Sequence, residues 1–442
     1  MPSTPAFYRA AARVASSLAP VLALASSKLA AGHRGRHGAV ERLSTWSAGK
    51  RDAARPLVWL HASSVGEGLQ AESVLHELRR RRPDAQFVYT HFSPSAEALA
   101  RRLPVDVADY LPYDLPRSVE TLLRALRPDL LVFSKLDLWP ELAVRAAAGG
   151  TTVAMVAATV SPGSSRLRWP ARAILRAGYE AVGVAAAVSE EDAQRLARLG
   201  VSPDRIRVLG DPRYDSVVER IAGVSKDEPL LRFGRGAPTL VAGSTWPEDE
   251  AALLGAFARV RAKHPAARLA LVPHEPTETH LVGVERAAAG LGLPAPVRLS
   301  HAQEPVPVLL VDRLGVLARL YGAGTMAYVG GGFGRAGLHS VLEPAAWRLP
   351  VSFGPRWRES RDAAALLQAD AARELTGRGS AALDELVAIW CGWIEGETER
   401  EAAGERAKVV VERGRGASAR SGELLAGLIS SPHPRTSPIV AR

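Results

Sequence analysis

Two segments of this sequence place glycines beside a carboxylate. The first, His61-Ala62-Ser63-Ser64-Val65-Gly66-Glu67-Gly68, follows an apolar run and opens a helical one. Its glycines permit a tight turn, and Glu67 falls at the helix start, ready to accept a proton. An acid there also has a plain stabilising role against the helix dipole, worth ~0.3–1 kcal/mol. The spacing alone favours that plainer role. The second segment runs from Val329 through Gly330, Gly331, Gly332, Gly334 and Gly337 to Ser340 and Glu343. It reads as strand, glycine-rich turn and short helix. Backbone N–H groups at a helix start hold phosphate. Glu343, about one turn in, is placed to accept hydrogen bonds from ribose hydroxyls. The loop lacks the Gly-Lys-Ser/Thr ending of a P-loop and the context of a dinucleotide fingerprint.

Other candidates sit at the ends of apolar runs. Ser244 and Thr245 follow one, His274 and Glu275 another, and Asp312 and Arg313 a third. Two adjacent residues such as His274 and Glu275 chelate poorly, and no metal or other cofactor is expected. The single cysteine, Cys391, excludes an intrachain disulfide framework and any four-cysteine zinc site.

The net charge of +10 is unevenly placed. Residues 1–51 hold eight Lys/Arg against one acid, Glu41, a net of +7. Val14 to Ser27 is nearly free of charge, but Pro20 interrupts it. That stretch is short of the ~20 residues a bilayer span needs. Beside a basic flank it is expected to lie on a membrane surface, where each cation adds ~1 kcal/mol of attraction to anionic lipid. A cleaved signal peptide is the competing reading. No finger, recognition helix or aromatic-basic motif argues for nucleic acid.

These residues need a scaffold, and the periodicity supplies one. Strand-like runs over 57–62, 86–92, 130–134, 152–157, 182–188 and 206–209 alternate with helical patterns. Ser189 caps one helix, which ends near Gly200. A second series covers 239–244, 268–273, 308–311, 327–330 and 351–353. Such alternation implies parallel sheets. The expected fold is α/β, with two doubly wound Rossmann-like lobes and a ligand cleft at the carboxyl ends of the strands. The expected bounds are a membrane-associating segment over 1–51, a first lobe over 52–211, a linker over 212–237, a second lobe with terminal helices over 238–429, and a disordered tail over 430–442.

The order of short motifs resembles the bacterial 3-deoxy-manno-octulosonic acid (Kdo) transferases of lipopolysaccharide synthesis. Ser64-Val65-Gly66-Glu67 is similar to that family's catalytic segment, and Leu111-Pro112-Tyr113-Asp114 to its next marker. Leu138-Trp139-Pro140 follows, then a serine-rich loop with Ser161, Ser164 and Arg166. Gly210-Asp211-Pro212-Arg213-Tyr214-Asp215, Gly243-Ser244-Thr245, Leu342-Glu343-Pro344 and Phe353-Gly354-Pro355 complete the series, over roughly residues 7–370.

The resemblance implies the GT-B architecture and metal-free inverting transfer of Kdo from CMP-Kdo to a lipid A precursor. It also implies a place on the cytoplasmic face of the inner membrane. Glu67, Lys135 and Asp137 would serve catalysis, and Ser64, Ser161, Ser164 and Arg166 the acceptor. Arg213, Ser244, Thr245, His274, Glu275, Gly331, Gly332, Gly334, Gly337, Ser340 and Glu343 would hold the donor. The chain departs from the family's pattern at four places. Lys135 and Asp137 stand where glutamates are usual, Ser340 replaces an asparagine, and His274-Glu275 replaces an Arg-His pair. A transferase for another activated sugar and a catalytically silent sugar-nucleotide-binding protein are the alternatives. A nicotinamide oxidoreductase is disfavoured by the absent N-terminal fingerprint.

Overall fold

The computed structural model describes residues 3–225 and 227–429. The chain divides into two compact units, residues 1–216 with 415–442, and residues 217–414.

The first unit is built on a seven-stranded parallel sheet. Its strands are β1 (Leu57–His61), β2 (Gln86–His91), β3 (Val107–Tyr110), β4 (Leu130–Ser134), β5 (Thr152–Ala158), β6 (Val184–Ala187) and β7 (Ile206–Val208). Their order is β3-β2-β1-β4-β5-β6-β7. The central strands are buried along their whole length, as parallel strands covered on both faces must be. Strand β3 was not expected, because its polar sequence Val-Ala-Asp-Tyr lacks an apolar run; it lies at the sheet edge and is only partly buried.

The second unit repeats the plan. Strands β8 (Thr239–Thr245), β9 (Arg268–Pro273), β10 (Val297–Arg298), β11 (Val308–Leu310), β12 (Met326–Val329), β13 (Val351–Phe353) and β14 (Ala372–Glu374) pair in the order β10-β11-β9-β8-β12-β13-β14. The two edge strands, of two and three residues, are too short to show periodicity. In each sheet the strand order reverses once, between β1 and β4 and between β8 and β12. Loops at the carboxyl ends of these strand pairs diverge and leave a crevice, where open α/β sheets bind ligands.

The domain bounds differ from expectation in three ways. Residues 1–51, expected as a separate membrane-associating segment, belong to the first unit. The helix Ala39–Lys50 buries Ala39 and Leu43 in the first unit, and helix α1 (Ala6–Leu22) is tied to it by side-chain bonds described below. The span 212–237 is not an open linker. It contains a helix, Pro212–Ala222, and a 3-10 segment whose Leu230 and Phe233 enter the second unit's core. The last described helix, Ala417–Leu428, belongs to the first unit rather than the second. Leu425 packs there with Val74, Leu75 and Leu78 of helix α2 (Val65–Arg81). Asp215 accepts the N–H groups of Gly416 and Ser418 at 2.7 and 2.8 Å, holding the start of that terminal helix. The tail over 430–442 lies outside the described residues.

Among the described residues no helix is long and apolar enough to cross a membrane. Helix α1 instead leaves Phe7, Val14, Leu18, Val21 and Leu22 exposed, with Leu24 just beyond its end at 89% exposure.

Candidate active site

In the first unit the loops after β1 and β4 bring one group of predicted residues together. Ser64 caps helix α2, and Glu67 sits at its third position in a capping box. The Ser64 N–H and hydroxyl both donate to Glu67 Oε2, at 2.9 and 2.6 Å. The Ser134 hydroxyl at the end of β4 donates to the Glu67 carbonyl at 3.1 Å, joining the two loops.

The loop after β4 begins at Lys135, which has a left-handed backbone, φ 61°. A non-glycine residue there is strained, and such strain gathers at functional sites. The Lys135 N–H donates to the Val156 carbonyl at 2.8 Å, which helps to hold that conformation. Asp137 follows, with Oδ2 3.2 Å from Nε2 of the fully buried His61. The Trp139 indole N–H donates to the same nitrogen at 3.0 Å. That bond occupies the nitrogen's lone pair, so the ring proton sits on Nδ1 and donates to Thr90 Oγ1 at 3.0 Å. His61 thus joins strands β1 and β2 to Trp139, with the Asp137 carboxylate in contact. The sequence offered no sign of this beyond a polar residue ending a buried strand. Ser161, Ser164 and Arg166 lie after β5 in a surface turn, where Ser164 Oγ accepts the Arg166 N–H at 3.4 Å. Arg213 is paired side-on with Asp211 through two bonds of 2.8 and 2.6 Å.

In the second unit the loops after β8 and β12 adjoin. Ser244 has φ 54°, a second left-handed strand end. Thr245 Oγ1 donates to the buried Glu250 at 2.8 Å, which also meets His280 Nε2 at 2.8 Å. The Trp246 ring stacks on His274 at 4.9 Å between centroids, and His274 stacks on His339 at 4.5 Å. The Trp246 indole N–H donates to His339 Nε2 at 3.0 Å. Burial, then the neighbouring His274, pushes the His339 pKa down to about 4. Glu275 follows His274, and its carbonyl lies 3.0 Å from His280 Nδ1.

The glycine loop corrects the expectation of a helix start facing phosphate. Helix begins only at Leu342 and runs five residues, to Ala346. The stretch from Gly331 to Ser340 is irregular loop. The Gly331 N–H is already bound to Asp249 Oδ2 at 2.8 Å. Asp249 is buried and also accepts from Tyr328 and the Trp246 N–H, at 2.8 and 3.0 Å. Burial raises its pKa, partly offset by these donors. A Cβ on Gly331 would lie 2.1 Å from the Gly337 carbonyl oxygen, and Gly331 has φ 90°. A Cβ on Gly332 would strike Gly354 at 2.7 Å. These glycines are there for close backbone packing. Ser340 Oγ, two residues before the short helix, accepts the Leu342 N–H at 3.4 Å. Glu343 is its second residue rather than one turn in, and it is ion-paired with Arg220 at 2.9 Å. Asp249 and Arg220 were not among the expected site residues. Asp249 is legible afterwards, three positions past Trp246 at a capping-box spacing; Arg220 had no local signal.

A family model described as "3-Deoxy-D-manno-octulosonic-acid transferase (kdotransferase)" matches residues 37–216. A 3-deoxy-D-manno-octulosonic acid transferase of Bordetella pertussis is 30% identical over 328 residues, covering 70% of this chain and 73% of that protein. The chain belongs to the 3-deoxy-D-manno-octulosonic acid transferase family. The Haemophilus influenzae protein of the same name is 26% identical over 310 residues, 67% of this chain and 70% of its own length. Among solved structures, the fold resembles a UDP-GlcNAc 2-epimerase from Neisseria meningitidis, with TM-score 0.59, 14% identity and coverage of 84% of this chain and 99% of that one. It also resembles a glycosyltransferase from Rickettsia africae, with TM-score 0.57, 12% identity and coverage of 85% and 98%. These likenesses are of fold: two Rossmann-like units of the GT-B type.

Proposed function

We propose that this protein transfers Kdo from CMP-Kdo to a lipid A precursor, with inversion, at a membrane surface. The observation that carries the reading is Glu67 at the strand-to-helix turn, joined through Ser134 to the loop that carries Lys135 and Asp137, in a chain of this family. Inversion requires the acceptor hydroxyl to attack the face opposite the departing CMP. Glu67 draws off its proton. One carboxylate oxygen is fixed by Ser64, which orients the group and leaves Oε1 for the hydroxyl. A base so placed contributes ~10²–10⁴-fold in rate. Lys135 faces an acidic group of sugar or acceptor, and Ser161, Ser164 and Arg166 contact the acceptor.

CMP occupies the crevice between β8 and β12. Glu343 holds the ribose hydroxyls once it exchanges its bond to Arg220 for them. Backbone N–H groups from Gly332 to Gly337, with Ser244 and His274, meet the phosphate; Thr245, expected there, is buried with its hydroxyl donated to Glu250. CMP leaves with one phosphate bonded directly to the sugar, so oriented N–H groups are enough to receive the charge, and no metal is needed. The exposed apolar residues of α1 and the +7 charge of residues 1–51 supply the two signals that stable surface attachment takes.

Incubating purified protein with CMP-Kdo and lipid A precursor tests the reading by mass spectrometry. One or more Kdo additions to the lipid support it. An unmodified lipid with CMP-Kdo, but modification with a different activated sugar, overturns it.

A further inference from the structure

Helix α1 is clamped at its first turn to the element that carries the catalytic loop. The Tyr8 hydroxyl donates to Asp114 Oδ2 at 2.7 Å. Arg9 Nε donates to Glu141 Oε2 at 2.8 Å. Both acceptors are buried; Glu141 lies at the start of helix α3 (Pro140–Ala148), and Asp114, in the loop after β3, is bonded to that helix start. Glu141 is its second residue. Asp114 accepts the N–H groups of Glu141 and Leu142 at 2.8 and 2.9 Å, satisfying donors that a helix start otherwise leaves bare. Burial works to raise the Glu141 pKa, but bonds from Arg145 and Arg9 outweigh it and hold the group below the usual range. Glu141 is therefore a charged anchor.

The residue just before α3 is Trp139, its N-cap. The Trp139 indole is bonded to His61 Nε2, and that nitrogen lies 3.2 Å from Asp137. A continuous chain of bonds thus runs from Tyr8 and Arg9, through Asp114 and Glu141, to the first turn of α3, and on to Trp139 and His61, against which Asp137 rests at 3.2 Å. The outer part of the same helix is the exposed apolar strip of Val14, Leu18, Val21 and Leu22. A helix serving only as a tether would need neither of two buried acidic partners. Removing either donor leaves a buried carboxylate short of a partner, and the helix start must then readjust.

We infer that Tyr8 and Arg9 are positioning residues for the active-site loop 134–139, so that the surface-bound helix sets the geometry of Asp137 and Trp139. This rests on the transferase reading for its kinetic consequence, but not for its structural one.

The test uses full-length protein with Tyr8→Phe, Arg9→Gln, both together, and Arg9→Lys. The double variant should lower kcat about tenfold to a hundredfold, the scale of a small misplacement of reacting groups. KM for CMP-Kdo, CMP affinity and binding to phosphatidylglycerol vesicles should hold, and Arg9→Lys should recover most of the rate. Amide hydrogen exchange over 134–140 should quicken in the double variant. A folded double variant with wild-type kcat overturns the inference, as does a rate loss fully matched by lost vesicle binding. Should the double variant fail to fold, the single variants carry the same comparison. Unchanged exchange over 134–140 overturns it even if the wild type transfers no Kdo, while absent transfer with quickened exchange counts against the transferase reading alone.

Discussion

Glu67 Oε2 accepts two hydrogen bonds from Ser64, one from its backbone and one from its hydroxyl. The residue is thus a structural cap and the proposed base at once, through different oxygens. The two roles separate by substitution. Glutamine keeps the accepting oxygen and suits a capping box, so Glu67→Gln should unfold at the wild-type temperature. Glu67→Ala loses both bonds and should cost about 1 kcal/mol, read as a lower midpoint in thermal unfolding. Equal midpoints for Ala and Gln would mean that the cap contributes nothing.

Lys135 holds a left-handed backbone that glycine adopts freely. Lys135→Gly should therefore stabilise the fold or leave it unchanged, within about 1 kcal/mol. It should still lower transfer, as should Lys135→Glu, which reverses the local charge. Denaturant unfolding and initial rates measure the two effects. Full activity in both variants would make Lys135 a bystander.

Glu343 is ion-paired with Arg220 at 2.9 Å. Glu343→Ala should weaken CMP binding by about 1–3 kcal/mol, because ribose hydroxyls then lose their acceptor. Calorimetric titration with CMP checks this, and an unchanged Kd would place the ribose elsewhere.

Gly331 has no room for a side chain, with a Cβ falling 2.1 Å from a backbone oxygen. Gly331→Ala should disturb the loop held by Asp249 and reduce CMP affinity at least tenfold, a loss of about 1.4 kcal/mol. Titration of the folded variant decides it; wild-type affinity would remove this loop from the donor site.

His339 is stacked on His274 and depressed to about 4 by burial and that neighbour. Its ordinary value is ~6.5. Below ~6.5 the unfolded chain gains a proton that the folded chain refuses until about 4. Stability from this group is therefore complete above ~6.5 and falls as pH drops toward 4. The unfolding midpoint of wild type should decline faster over that window than that of His339→Gln. Parallel curves would contradict it.

Much of the scaffold was legible because buried parallel strands are long apolar runs. Strands β4, β9 and β13 fall on the expected residues. What escaped was short or polar: β3, β10 and β14 at sheet edges. The terminal helix was misassigned because its apolar face gives no clue to which sheet it covers; Asp215 and Leu425 decide that only in three dimensions. Motif order singled out Glu67, which stands at a helix start as expected, and the glycine turn after β12, though not the length of loop before the next helix. The site was not legible where one side chain meets another far along the chain. His61 with Trp139, Asp249 with Gly331, and Arg220 with Glu343 are pairings that no local spacing announces.

The central claim is that Glu67 is the base of a Kdo transfer. It is tested most directly by the rate of Kdo incorporation into lipid A precursor from CMP-Kdo, for wild type and Glu67→Gln side by side. Wild type should transfer, and Glu67→Gln should be slower by ~10²–10⁴-fold with the same CMP affinity and unfolding temperature. Equal rates in the two proteins would contradict the account and leave Glu67 a helix cap.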